Sequence, residues 1–194
     1  MNFIYLFVYY ILNFCKIFYN RMHLAEQYYF IDKFDKKKII KQNKRTSIIY
    51  RNYRKKVDLS EMQKMNAFCK KRGLKLYLSN NVKLAFKLDL HGAYIPSFNK
   101  SLRHLNYLKK TNFNIIGSAH NLKEIRIKEL QGASRIFVSS IFKDNKNYLG
   151  LFKFLNLTKL TKKKVIALGG ISKEKLRLVK LINVSGFAGI SFFE

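Results

Sequence analysis

Residues 165–172 read V-I-A-L-G-G-I-S, and residues 186–193 read G-F-A-G-I-S-F-F. Each is a short apolar run of strand type that stops on glycine or serine. The first leads into a helix pattern: Ser172 is a good N-cap residue, and Leu176, Val179 and Ile182 follow at helical spacing. A strand, a Gly-Gly turn and a helix start form an anion site, because glycine lets the backbone approach a phosphate and the free N–H groups of the helix start point at it. A lone Gly169-Gly170 pair is more often only a tight turn. The second strand, ending on Gly189 and Ser191, turns the reading toward phosphate, since the last two strands are where a (β/α)8 barrel keeps its phosphate site.

Working back toward the N-terminus, strand and helix signals alternate. Strands are predicted at 27–31, 47–50, 76–78, 93–95, 114–117 and 135–139, and helices over 60–72, 82–88, 102–108, 121–131 and 151–160. Ser60 with Gln63 reads as a capping box, and Asn121 as a cap with Glu124 at the reciprocal position. With the two C-terminal strands this makes about eight β/α units, hence a parallel sheet and a compact TIM barrel. Glu194 follows strand eight directly, so the expected barrel lacks a normal eighth helix. Residues 1–21 form an apolar N-terminal extension, broken by Asn2, Asn13 and Lys16, and 22–194 the barrel domain. The extension is expected to be helical, to cover the barrel near the termini or to mediate association with a second chain or a membrane; it shows neither the basic start nor the small-residue cleavage site of a secretory signal.

The chain has 194 residues and a formal net charge of +28. Such a charge favours anionic partners. The lysines are spread along the whole chain, however, and travel with many Asn, Ile, Phe and Tyr, a compositional bias that weakens any nucleic-acid reading. The runs at 36–38 and 162–164 read as solvated segments between elements. Two cysteines, Cys15 and Cys69, lie in no metal-type spacing, and their scarcity points to a reducing, cytoplasmic setting.

In such barrels chemistry sits at the strand C-termini. Those ends are Asp32, Arg51, Ser79-Asn80-Asn81, Ser118 with His120, Ser139-Ser140, Gly169-Gly170 and Ser191. Hydroxyls, amides and a guanidinium suit a phosphate and a heteroaromatic ring. His120 is the sharpest acid–base candidate, because a histidine donates and accepts protons near neutrality; the competing role is a hydrogen bond at its own helix start. His23 and His104 have no context.

These residues resemble the thiamine-phosphate synthase and thiazole tautomerase (TenI-like) superfamily over about 28–193. The resemblance is carried by I-I-Y-R at 48–51, L-S-N-N at 78–81, G-A-Y-I at 92–95, I-G-S-A-H-N at 116–121, S-S-I-F at 139–142, A-L-G-G-I at 167–171 and residues 186–191. It implies a TIM barrel that joins a hydroxymethylpyrimidine diphosphate to a thiazole phosphate, releasing diphosphate and using Mg²⁺. It also implies that Arg51, Asn80 and Ser118 hold the pyrimidine diphosphate, and that Gly169, Gly170, Ile190 and Ser191 hold the thiazole phosphate. This chain departs from the pattern in places. Asn81 and His91 stand at the family's metal-aspartate positions, Tyr53 replaces a lysine, and residues 144–147 replace a Thr-x-Thr-Lys loop. An amide and an imidazole are poor Mg²⁺ ligands; Asp32 or Asp144 is then expected to compensate, or Lys146 to neutralise the diphosphate in place of metal. The readings left open are a synthase-like transferase, a metal-independent tautomerase with His120 as proton shuttle or a non-catalytic phosphate-ligand binder of the same fold, and, remotely, a basic nucleic-acid-binding protein. Homo-oligomers are compatible with each.

Overall fold

The computed structural model describes residues 26–106 and 112–194. The expected helical extension lies outside the described residues. Eight parallel strands close into a barrel in chain order: β1 (Glu26–Ile31), β2 (Thr46–Tyr50), β3 (Leu76–Ser79), β4 (Gly92–Ile95), β5 (Asn114–Ala119), β6 (Arg135–Ser139), β7 (Lys164–Leu168) and β8 (Gly186–Gly189), with β8 pairing back onto β1. Among the described residues six α-helices lie between them: α1 (Lys36–Ile40), α2 (Leu59–Lys71), α3 (Val82–Lys87), α4 (Leu122–Leu130), α5 (Gly150–Lys159) and α6 (Leu176–Leu181). A 3-10 turn (Arg103–Asn106) stands where a helix over 102–108 was expected, whose last residues lie outside the described set.

Alternation along each strand sorts the core into two compartments. Tyr28, Phe30, Ile49, Tyr77, Tyr94, Ile116, Phe137, Ile166 and Ala188 form one buried cluster that draws on all eight strands. Every member lies on a strand and none of the described helices contributes to it, so this is the filling of the barrel interior. Five aromatic rings do most of it, with Tyr28 and Phe137 centroids 4.8 Å apart and Phe30 and Tyr94 edge to face at 5.3 Å. The residues between them, such as Tyr29, Ile48, Leu78 and Val138, face outward into the layer shared with the helices.

The helix starts show what local chemistry decided. The lysines at 36–38 face solvent as expected, but they do not link elements: they open α1, whose first turn is capped by Asp35 accepting from the Lys38 amide. Helix α2 is capped by Asp58, which accepts from the Ser60 and Glu61 amides, rather than by Ser60. Asp58 comes two residues earlier and its carboxylate reaches both free N–H groups, so the Ser60 hydroxyl is not needed. The Asn121 cap forms as expected, with its side chain accepting from the Glu124 amide; the Glu124 carboxylate returns to the His120 N–H. The buried face of α4 is Ile125 and Lys128, whereas Leu122 and Leu130 are exposed.

Cys69 is buried on α2, and burial pushes its thiol up to about 11. The thiolate is the reactive species. Cys69 is therefore expected to resist alkylation at pH 8 in the native protein and to react once the chain is unfolded, as peptide mass mapping would show; rapid native labelling at Cys69 would contradict the packing. Among the described residues no helix is long and apolar enough to cross a membrane.

Candidate active site

The C-terminal mouth of the barrel is built from the residues that follow each strand. Arg51 leaves β2 and lays its guanidinium carbon 4.4 Å from the centroid of the Phe30 ring. That cation–π seat fixes the charge at the rim of the barrel. Arg51 lines a cleft of about 730 Å³ together with Asp32, Lys33, Tyr53, Arg54, Lys55 and Ile190. Lys38 and the carboxylates of Asp35 and Glu194 complete its charged lining, so five cations stand against three carboxylates and the cleft carries net positive charge that favours an anion. Tyr53 spans to β3, its hydroxyl 2.8 Å from the Ser79 hydroxyl. Burial raises its phenol, so it stays a neutral hydrogen-bonding group.

Asn80 sits in the left-handed region with φ 59°. Its Oδ1 accepts from the Asn99 Nδ2 at 2.8 Å, which joins the ends of β3 and β4. Asn81 is the side-chain cap of α3, its Oδ1 accepting from the Leu84 amide at 3.0 Å. Ser118 is buried at the end of β5, close to Tyr94, whose phenol burial pushes up to about 12.

His120 follows β5 under the loop that leaves β6. Its Nδ1 lies 2.8 Å from the Ser139 carbonyl oxygen, which can only accept. Nδ1 therefore carries the proton and donates, and Nε2 is left with the lone pair. The Asn147 amide nitrogen stands 3.5 Å from that Nε2. The tautomer is that of a base aimed at the mouth.

Gly169 and Gly170 have φ values of 105° and 70°. They lie against the backbone of the β6 loop: a Cβ on Gly170 would stand 2.6 Å from the Lys143 amide nitrogen, and one on Gly169 would strike Ser140. Close loop packing accounts for the glycines directly. Gly170→Ala is therefore expected to cost about 1–3 kcal/mol, from the positive φ and the forced displacement of the 143 backbone. Calorimetric melting should register a drop on the order of 5 °C, and an unchanged melting temperature would mean the two loops are not locked together. Helix α6 does not start at Ser172. It starts at Leu176, and Ser172 instead orders the intervening turn, bonding Glu174 and accepting from the Lys175 amide. The N-cap position is held by Lys175, which makes no side-chain cap bond, so the helix start stands back from the glycines.

The remaining predicted residues fall as follows. Ile190 lines the cleft, and Ser191 sits exposed in the turn after β8. Lys146 and Asp144 lie exposed in the β6 loop beside Asn147. His91 is a correction. It precedes β4 and therefore lies at the N-terminal mouth, in a second cavity with Lys75, Asn114 and Arg135. Strand β4 spans about 13 Å at 3.3 Å per residue, so His91 cannot share an ion with Asn81 at the other end. Its imidazole is held below the usual range by burial and by Lys75 and Arg135. Asn99 and Asn147 were missed; Asn99 is the first amide after the end of β4, the only signal it offered.

Against known proteins, residues 36–193 match the family described as "Thiamine monophosphate synthase". The chain belongs to the thiamine monophosphate synthase family. It is 31% identical over 139 residues to the Aquifex aeolicus protein named "Putative thiamine-phosphate synthase 2", covering 68% of this chain and 72% of that one. It is 38% identical over 82 residues to a thiamine-phosphate synthase of Methanococcus vannielii, covering 40% of each. Among solved structures, a thiamine phosphate pyrophosphorylase from Pyrococcus furiosus superposes with TM-score 0.71 at 21% identity, covering 87% of this chain and 86% of that one.

Within that family's frame, the donor set here does not suit Mg²⁺. The Asn81 oxygen is engaged in a helix cap, the Asn80 oxygen accepts from Asn99, and His91 is at the wrong end. Among the described residues no group of three or more His, Cys, Asp or Glu side chains is gathered for a metal. Mg²⁺ asks for carboxylate oxygens and water; of the cleft carboxylates Asp32, Asp35 and Glu194, the last is paired with Lys38, and they do not gather into a metal-holding group.

Proposed function

We propose that this chain is a transferase that joins a hydroxymethylpyrimidine diphosphate to a thiazole phosphate. The observation that carries the reading is Arg51 seated on Phe30 in a cationic cleft at the C-terminal mouth of a barrel of this family. In the reaction a bond forms between the thiazole ring nitrogen and the pyrimidine methylene. The methylene–oxygen bond breaks, and diphosphate leaves with the electron pair. Negative charge grows on the leaving group in the transition state, and fixed cations stabilise it there without reorganising. Arg51 is placed to do so, with Lys33, Arg54 and Lys55 around it. Asn80 orients the pyrimidine, and Gly169, Gly170, Ile190 and Ser191 take the thiazole phosphate, as the family resemblance suggests. Lys146, in the exposed β6 loop, adds positive charge on that side.

Because an amide engaged in a helix cap and an imidazole at the opposite mouth stand at the family's metal-aspartate positions, while cations line the cleft, the synthase rate should depend only weakly on Mg²⁺. The test is product formation from both substrates in chelator and in excess Mg²⁺. A change of less than about tenfold is expected, since tenfold corresponds to only about 1.4 kcal/mol. A strict requirement for Mg²⁺ would remove the cationic account.

The protonation of His120 favours a second reading, in which the chain isomerises a thiazole phosphate without metal. With Nδ1 tied to Ser139, the Nε2 lone pair, which faces the Asn147 amide at 3.5 Å, is the position that would take a proton from a ring carbon and return it elsewhere.

A further inference from the structure

Lys128 is fully buried, on the inner face of α4. Its stem crosses β5 at Gly117, where a Cβ would stand 2.6 Å from the Lys128 Cδ. Its ammonium donates all three of its bonds: to the Pro96 carbonyl at 2.8 Å, the Asn99 carbonyl at 2.7 Å and the Gln131 Oε1 at 2.8 Å. Gln131 donates in turn to the Asn99 and Ser101 carbonyls, and its own carbonyl lies 2.8 Å from the His104 Nε2. One cation and one amide thus gather the carbonyls of the loop that leaves β4. Of these residues only Asn99 reaches the mouth, and the three acceptors of the ammonium are two backbone carbonyls and an amide, with no carboxylate among them.

The arrangement is costly. Burial pulls the Lys128 ammonium down to about 8, with only Glu124 acting in the other direction. A lysine whose folded value lies below its unfolded value destabilises the native state when charged. The cost is present below about pH 8 and is relieved as pH rises toward 10.5. A buried charge kept at such a cost needs a reason other than stability. The reason is visible at the far end of the loop: Asn99, whose carbonyl Lys128 grips, hands its Nδ2 to the Oδ1 of Asn80 at 2.8 Å, while the Asn99 Oδ1 accepts from the Ser101 amide.

We propose that Lys128 is a positioning residue, an internal cation that fixes the β4 loop so that Asn99 holds Asn80 in place at the mouth for the pyrimidine substrate. The proposal rests on the reading of Asn80 as a pyrimidine-side residue. Lys128→Met keeps the stem and removes the charge. Hydrogen exchange of the peptide spanning 97–103 should then speed up at least about tenfold while the strands keep their protection, and the KM for the pyrimidine diphosphate should rise by a similar factor, the loss expected for one charge-assisted hydrogen bond. The KM for the thiazole phosphate should stay within about twofold, by the same scale. Asn99→Ala, which keeps the backbone carbonyls that Lys128 grips, should give the same split in KM with the loop still protected, and it carries the test if Lys128→Met does not fold. Unchanged loop exchange in Lys128→Met overturns the clamp. An equal rise in both KM values, or a wild-type pyrimidine KM in Asn99→Ala, overturns the positioning role. A wild-type chain that turns over neither substrate would overturn the functional reading instead, and the loop exchange would still decide the clamp.

Discussion

Arg51→Met is expected to lower kcat/KM for the pyrimidine diphosphate by about 10²–10³-fold. The guanidinium is held on the Phe30 ring at the rim of the barrel, so little side-chain freedom is lost when it meets a phosphate. A charge-assisted hydrogen bond contributes about 1.5–3 kcal/mol, and a fork that makes two of them contributes roughly twice the lower figure. Each 1.4 kcal/mol is about a factor of ten. Methionine keeps most of the stem and its packing on Phe30, so the melting temperature should move little. The kinetic loss should fall on the pyrimidine substrate and leave the KM for the thiazole phosphate near its original value. A loss below about fivefold would mean that the neighbouring Lys33, Arg54 and Lys55 already supply enough charge, and Arg51 would then lose its central place.

His120→Asn is expected to separate the two activities the fold could host. Thiazole isomerisation, if the chain performs it, should fall by about 10²–10⁴-fold in kcat, the usual worth of a general acid–base group. Asparagine can still donate to the Ser139 carbonyl, so the local backbone should survive. Coupling of the two substrates needs no proton transfer to carbon, and its kcat at saturation should change little while KM rises. A variant with full isomerase activity would remove the acid–base role from His120. A kcat for coupling that falls as far as the isomerase rate would place His120 in the bond-forming step.

The barrel was legible because strand residues must alternate between two apolar compartments. The runs at 114–117, 135–139 and 165–168 carry that signal strongly, and their observed ends differ by two residues or fewer. Helix starts were legible where a single polar side chain had no competitor, as at Asn121. They were misread where a better acceptor stood two residues upstream, as Asp58 does for Ser60. The first helix was hidden because three consecutive lysines look solvated, although Ile39 and the Asp35 cap are enough to fold one turn. At the site, strand-end residues such as Arg51 and His120 could be placed by counting along the chain. The links between loops could not. Asn99 to Asn80, Asn147 to His120 and Lys128 to Asn99 each join positions 19 to 29 residues apart, and nothing in local periodicity encodes such pairs. His91 was misplaced for the related reason that a residue next to a strand glycine can belong to either mouth until the strand's direction and start are known.

The transferase account turns on one stoichiometry. Phosphorus spectroscopy of a single reaction containing the purified chain, hydroxymethylpyrimidine diphosphate and thiazole phosphate follows every phosphorylated species at once. The account predicts that diphosphate and thiamine phosphate appear in equal amounts, that both substrates are consumed together, and that the reaction proceeds in chelator at a rate within about tenfold of that in Mg²⁺. Isomerised thiazole phosphate with the pyrimidine diphosphate left intact would contradict it and install the tautomerase reading in its place.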